Sequence, residues 1–562
     1  MFRASGCSAW NCGIRAADVA GRRRFNDGDR TTRGVSLIPV IRSATIGMAE
    51  ARTSARLVTN SAFNAGAFAV AAALNILVIP FVIHRLGLAA FGVAGLVTAC
   101  IAPATIFSTP LGLSAAREFA LRLAPDQQGE ARRFFASALF LALGIGGTIA
   151  IALGVGGPRL ARAAFNLHEG DLGLAFAFGA FGWFCQCCSA VVMALLTARQ
   201  DYGSIAALNV GGTVAATTAT FILVPLLPQA STYLACQALG TGAALAATWA
   251  VARRLPDGWL GAPALHRGEA RQLVRFGSWQ LVAQGGGMIA TQADRYLLGA
   301  LLPPEFVGFY VVAQRLEEAV YIGVLKVGEI LFPFFSMLQN EAREHRIDLL
   351  LRSSWMLNLL AASALGALVP VAAPVLYLWT GPRVATEAEL TLVTLSVAGI
   401  LGCGANAFVF YLLAEGRSRS NAIIAFVTAA FTLLTSVLVL PAFGWRAAGW
   451  SACVGMLAQI ITVFALLARS FDQPGVWGRV FHFVLQPLLT GIVVALLLRQ
   501  LVSALVPESV LHWWVVGALY GAAALVILAA AVAGSLLGPY GKTCARDLQS
   551  VWRRLSTRVS RF

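Results

Sequence analysis

A chain of 562 residues that is 58% hydrophobic and only 12% charged cannot cover a water-soluble surface, because soluble domains carry about a quarter charged residues. Its formal net charge of +16 comes from cations in short clusters between long apolar runs. A nucleic-acid reader would instead gather them on one polar face among aromatics, so that class is excluded and no nucleic-acid partner is expected. With a mean hydropathy of +0.74, the bilayer is the natural solvent for this chain.

Residues 1–55 are arginine-rich (Arg22, Arg23, Arg24) and hold no apolar run long enough for a signal-peptide core. They read as a basic cytoplasmic tail, and Met48 stands as an alternative start that would leave residues 1–47 untranslated. Apolar segments long enough to span then recur at 60–83, 89–113, 134–157, 172–197, 204–227 and 230–252. Residues 253–275, basic and broken by Pro256, Gly258, Pro263 and Gly268, predict a cytoplasmic linker. Six more spans follow at 276–302, 306–338, 355–379, 388–413, 421–440 and 446–468, then two at 480–501 and 512–537, and a basic cytoplasmic tail at 538–562. The runs are continuously apolar rather than alternating, which predicts helices and not barrel strands.

Leu86-Gly87 and Phe91-Gly92 after the first span are echoed by Leu298-Gly299, Phe306 and Gly308 after the seventh. The fold expected is an all-α polytopic membrane protein of about fourteen transmembrane helices. It would have two pseudo-repeated six-helix lobes, 56–252 and 276–468, plus two C-terminal helices at 480–537. Lys and Arg crowd the tails and every second loop, while the alternate loops hold only Arg85, Arg159, Arg162, Arg383, Arg446 and Arg499. That asymmetry puts both termini in the cytoplasm.

A charge inside hydrocarbon costs about 2.5–3.5 kcal/mol on insertion scales, so each one asks for a reason. Most spans have none, but the seventh and eighth hold Asp294, Arg295, Arg315, Glu317, Glu318, Lys326 and Glu329. At about 100° per residue, Arg315, Glu318, Lys326 and Glu329 form a stripe of alternating sign on one face of the eighth helix, with Glu317 off it. The Pro303-Pro304-Glu305 turn makes the two spans an antiparallel hairpin. Arg295 and Arg315 then lie at a common depth of roughly 12–15 Å below the surface. One reading is structural: Asp294 neutralises Arg315, and Glu318 or Glu329 neutralises Lys326, fixing helix packing. The other is a water-filled chamber in which Arg295, Arg315 and Lys326 hold an anionic group while Asp294, Glu318 and Glu329 exchange ions.

Asn60, Asn64 and Asn75 share a face of the first span, either lining that chamber or bonding across a helix interface. Gln280, Gln284 and Gln292, with Gly285-Gly286-Gly287, mark a seventh helix expected to bend. Cys185, Cys187 and Cys188 do not share a helix face and read as small buried side chains, so no metal is expected. No phosphate-binding glycine loop, zinc-protease pair or nucleophile elbow occurs, and no cofactor is implied.

Asp294-Arg295-Tyr296-Leu297-Leu298-Gly299, then Val307-Gly308-Phe309-Tyr310 and Ala313-Gln314-Arg315-Leu316, resemble the seventh and eighth helices of polysaccharide-transport (Wzx-type) flippases. These belong to the multidrug/oligosaccharidyl-lipid/polysaccharide (MOP) exporter superfamily. Pro80 with Arg85-Leu86-Gly87 and Gly92 is similar to their first turn. Tyr411-Leu412-Leu413, Gly416, Pro441, Phe443-Gly444 and Ala447-Ala448-Gly449 resemble their tenth to twelfth helices. The likeness runs over about residues 56–535. It implies two six-helix lobes around a central cationic cavity in a bacterial inner membrane. It also implies passage of an undecaprenyl-diphosphate-linked oligosaccharide to the periplasmic leaflet for O-antigen or exopolysaccharide synthesis. Exchange of H⁺ or Na⁺ would drive it, with glycan polymerase or export proteins as partners. Asp294, Arg295 and Arg315 take the cavity role in that resemblance. The first span lacks the intramembrane Arg-Asp-Arg group of peptidoglycan-precursor flippases, and fourteen spans exceed the twelve of drug exporters. A drug/cation antiporter of the same superfamily is the alternative, and a membrane glycan polymerase or ligase a further one.

Overall fold

The computed structural model describes residues 66–559, apart from 123–124, 168–170, 256–259, 330, 332–333, 336–337, 339–340, 469–474 and 507–510. It gives backbone alone for 125, 276–284, 286–287, 289–291, 418 and 551–559. Two units divide the chain, Met1–Thr59 and Asn60–Phe562. The first, with Met48, lies outside the described residues, as do Asn60 and Asn64.

Among the described residues of the second unit there is helix and no strand. Six long helices form its first half: α1 (Gly66–Leu86), α2 (Leu88–Ala120), α3 (Gln128–Phe165), α4 (Leu172–Ala198), α5 (Tyr202–Leu223) and α6 (Ala230–Arg253). The charged hairpin is α7 (Arg267–Leu301) and α8 (Pro304–Gly328). Beyond it come α9 (Arg343–Gly366), the short α10 (Ala372–Thr380), α11 (Pro382–Ala414), α12 (Ser418–Phe443) and α13 (Trp445–Ala468). Then α14 (Val476–Leu505), α15 (Trp513–Leu537) and α16 (Gly541–Val559) close the chain. Twelve of these are long and apolar enough to cross a membrane. The hairpin helices α7 and α8 have the length but carry the charges, so every one of the spans expected from sequence has a helix.

The ninth is displaced. The apolar run predicted 355–379, whereas α9 covers Arg343–Gly366 and a turn precedes α10. Two forces set that register. Arg346 pairs with Glu415 at 2.6 Å, which holds a polar first turn in helix. Downstream, Pro370 has no N–H to continue the ladder. The eighth helix likewise ends at Gly328, short of the 338 expected. α7 is continuous helix through Gly285-Gly286-Gly287, and a Cβ added at Gly285 would meet no atom within 4 Å.

Outward-facing Leu, Val, Phe and Ile are plentiful (Leu497 and Leu525 among them), as lipid-facing helices require. Within the first half, α4 packs on α2, α3 and α6, and α5 on α6; within the second, α11 packs on α9 and α13, and α12 on α13. α14 and α15 pack on each other and on α9. α7 and α8 join the halves: α7 lies against α2 and α12, and α8 against α2 and α11.

The repeated glycines sit at that junction. A Cβ on Gly92 of α2 would strike the Pro304 carbonyl of α8, and one on Gly308 of α8 would lie 2.7 Å from the Leu88 carbonyl of α2. Each repeat thus contributes the glycine that lets the other's backbone approach. Larger side chains would hold the two first turns apart.

Candidate functional site

Asp294 and Arg295 are neighbours in sequence, but successive residues of a helix point about 100° apart. On α7, which lies between the halves, that angle sends the two side chains to different environments. Asp294 turns to the second half and is 3% exposed. Three hydroxyls donate to it: Tyr310 of α8 at 3.0 Å, Ser451 of α13 at 2.8 Å, and Ser436 of α12. It makes no ion pair with Arg315.

Arg295 turns to the first half. Its Nε donates to Gln314 Oε1 at 2.9 Å and its Nη1 to Gln292 Oε1 at 3.3 Å, both neutral partners. Tyr296, next along, donates to the Ala99 carbonyl of α2 at 2.7 Å and fixes α7 against that helix. Arg295 and Arg315 both line a cavity of about 410 Å³ walled by α1, α2, α4 and α6. Asn75 lines it too. Polar groups from the apolar spans project in (Thr98, Thr105, Gln186, Gln237, Thr241), along with the aromatics Phe91, Phe178, Trp183 and Tyr233. No carboxylate is among the lining residues. The formal charge balance of the hairpin, three cations against four acids, therefore does not describe this lining, although Glu318 stands 3.5 Å from Arg315.

Glu318 is 3.5 Å from Arg315 with both side chains nearly half exposed, and Lys326 pairs with Glu329 at 2.7 Å. The pairings along the α8 stripe are thus local, one helical turn apart, and neither reaches Asp294. Lys326 and Glu329 do not line this cavity; they lie about 16 and 21 Å further along the axis than Arg315. Backbone alone is described at Gln284.

Sequence reasoning set Glu317 aside as off the stripe. It faces α11, where Gly399 leaves the room its carboxylate occupies: a Cβ there would lie 2.6 Å from Glu317 Oε1. One turn on, Tyr321 receives a hydrogen bond from Asn406 Nδ2 at 3.4 Å. Gln186 and Gln237 were also missed, although glutamine inside an apolar span is the kind of signal that finds cavity walls. Among the described residues, no group of three His, Cys, Asp or Glu converges as a metal site.

Two helical halves joined by a charged hairpin, with an aqueous-sized, arginine-lined chamber inside the span of the helices, define a two-lobed multi-pass membrane protein. Residues 85–381 match the family described as "Polysaccharide biosynthesis protein", and the chain belongs to that family. No curated protein sequence matches it. Among solved structures it is similar to the lipid II flippase MurJ in an inward closed conformation (TM-score 0.62, 10% identity, 84% of this chain and 98% of that one). It is also similar to an inward-facing multidrug resistance MATE family transporter of the MOP superfamily (TM-score 0.60, 16% identity, 70% and 94%). A MOP superfamily transporter from Pyrococcus furiosus is a third (TM-score 0.51, 14% identity, 74% and 96%). At these identities the likeness is one of fold.

Proposed function

We propose that the protein is a flippase that carries a polyprenyl-diphosphate-linked oligosaccharide from the cytoplasmic to the periplasmic leaflet of a bacterial inner membrane by alternating access. The observation that carries the reading is the pairing of Arg295 and Arg315, from two helices, in one chamber whose lining holds no carboxylate. A diphosphate–sugar head cannot enter hydrocarbon without losing its hydration. Two guanidinium groups with amide and hydroxyl neighbours replace that hydration by charge-assisted and neutral hydrogen bonds. The aromatic walls offer faces on which sugar rings stack, and the polyprenyl chain stays in lipid.

The cation-rich loops and both termini are cytoplasmic by the positive-inside rule, so the Gly92–Gly308 junction lies at the periplasmic end and the halves touch there. Asp294, held by hydroxyls from three helices of the second half, is the coupling group for H⁺ or Na⁺, and Glu318 and Glu329 are secondary candidates. The protein works as a transporter and not as an enzyme, delivering its cargo to glycan polymerase or export proteins.

The test is surface glycan in cells carrying Arg295→Ala with Arg315→Ala, with membrane-inserted protein level measured alongside. Loss of glycan at an unchanged level is expected. Normal glycan from a well-expressed double variant would refute the site. Cation-driven dye efflux in proteoliposomes, without movement of a diphosphate-linked lipid, would favour the antiporter reading instead.

A further inference from the structure

The last helix, α16, differs from all others in pattern. Cys544, Leu548, Val551, Trp552, Leu555 and Val559 fall within about 100° of one another on the helix. Lys542, Arg546, Arg553, Arg554 and Arg558 occupy the remainder. The single acid, Asp547, is buried and already committed: Arg352 of α9 forks onto it, Nε donating to Oδ2 at 2.7 Å and Nη2 to Oδ1. Cys544 is fully buried, with its Sγ 3.7 Å from His482 of α14. Lys542 and Arg546 are exposed. The first two turns of α16 are therefore clamped to α9 and α14 through the side that bears Asp547 and Cys544, leaving the cations without an acid of their own helix.

Only the turn Gly538–Tyr540 separates α16 from the end of the lipid-facing span α15. Tyr540 packs its ring on His482 and Phe483. The helix consequently starts at the membrane boundary and cannot move far from it. A helix with one apolar stripe, a strongly basic opposite face and a start at that level matches the pattern of an interfacial helix. We propose that α16 lies in the cytoplasmic membrane surface and binds anionic phospholipid headgroups through Lys542, Arg546, Arg553, Arg554 and Arg558. The occupant is a lipid surface because only three residues part this basic helix from the lipid-facing span α15, and in sequence the apolar stripe runs on past the clamped turns, at Val551, Trp552, Leu555 and Val559. Its anionic character follows from a face with five cations and no uncommitted acid.

The test uses the full-length protein in phosphatidylcholine vesicles that contain either brominated phosphatidylglycerol or brominated phosphatidylcholine at equal mole fraction. The fluorescence difference between wild type and Trp552→Phe isolates the Trp552 signal. That signal should be quenched more strongly by the brominated phosphatidylglycerol. Each removed cation should weaken the preference roughly fivefold, and Arg546→Gln with Arg553→Gln, Arg554→Gln and Arg558→Gln should bring it to parity. The same loss is expected in unsubstituted protein between about 0.01 and 1 M salt, as the screening length falls from roughly 30 to 3 Å. Should that variant fail to insert, the salt series alone decides. Equal quenching by both lipids would overturn the proposal. So would no quenching by either, the result expected if an acidic protein covers this face.

Discussion

Asp294 and Arg295 share a peptide bond and a depth in the membrane, yet the two sides of α7 treat charge in opposite ways. On one side a buried carboxylate is enclosed by three hydroxyls drawn from α8, α12 and α13. On the other a guanidinium rests on two glutamine oxygens and opens with Arg315 into about 410 Å³ of cavity. The first environment is a closed coordination shell, suited to a small ion or a proton. The second leaves donors unspent and suits a large anion. A single helix between two lobes can carry both because 100° of rotation is enough to change lobes. Any movement of α7 about its own axis or along it changes both environments together, which is the physical link a coupled transporter needs.

The largest effect should come from forcing the lobes apart. Gly92→Leu would drive a branched side chain against the Pro304 carbonyl, and overpacking against backbone costs about 1–3 kcal/mol or more. Since the collision is removed only when the first turns of α2 and α8 separate, the variant should populate a form open at that end. Cysteine pairs placed across the α2–α8 junction should cross-link less, and surface glycan should fall by an order of magnitude. Unaltered cross-linking would mean that the junction is not where the halves close. Next comes Asp294→Asn, which keeps the shape of the side chain but removes the charge that its three donors serve. Hydrogen bonds to charged groups contribute about 1.5–3 kcal/mol each. Transport should be lost while the purified protein still binds a polyprenyl diphosphate, which separates the two sides of α7 directly. Loss of binding with loss of transport would merge them.

How much of this the sequence could disclose follows from where the signals lie. Spans were legible because hydrocarbon imposes a length and a composition on every crossing, and the two arginines were legible because charge inside such a span is rare. The hydroxyl shell was not. Ser436 and Ser451 are unremarkable residues more than a hundred positions from Asp294, and nothing in their own helices marks them. Pairing Asp294 with Arg315 was a reasonable expectation from charge alone, and it failed because the two side chains leave α7 and α8 toward different lobes. Glu317 was discounted by considering the face of one helix. Its environment is made by Gly399 on another, and a glycine reports the space it leaves only once its neighbour is known. The ninth span was misplaced because the Arg346–Glu415 pair extends the helix into residues that hydropathy rejects.

Smaller effects test the finer contrast. Ser436→Ala with Ser451→Ala leaves the Asp294 charge but takes two of its donors, at about 1 kcal/mol each, so transport should fall in part and the thermal midpoint of the purified protein should drop by a few degrees. Arg295→Lys keeps the charge and loses the planar fork that spans Gln314 and Gln292. Its affinity for polyprenyl diphosphate should decline by roughly one order of magnitude, since a tenfold change corresponds to about 1.4 kcal/mol.

The smallest and most discriminating change is Glu318→Gln. Arg315 and Glu318 are 3.5 Å apart and nearly half exposed, a geometry in which an ion pair is worth about 0–1 kcal/mol. If Glu318 only competes with the incoming diphosphate for Arg315, removing its charge should tighten binding by up to about fivefold, the equivalent of that energy, and leave transport intact. If Glu318 carries the coupling ion, binding should change little and transport should stop. The two outcomes are exclusive, and they assign the α8 stripe either to the cargo side of the molecule or to the ion side, a distinction that charge counting along the helix cannot make.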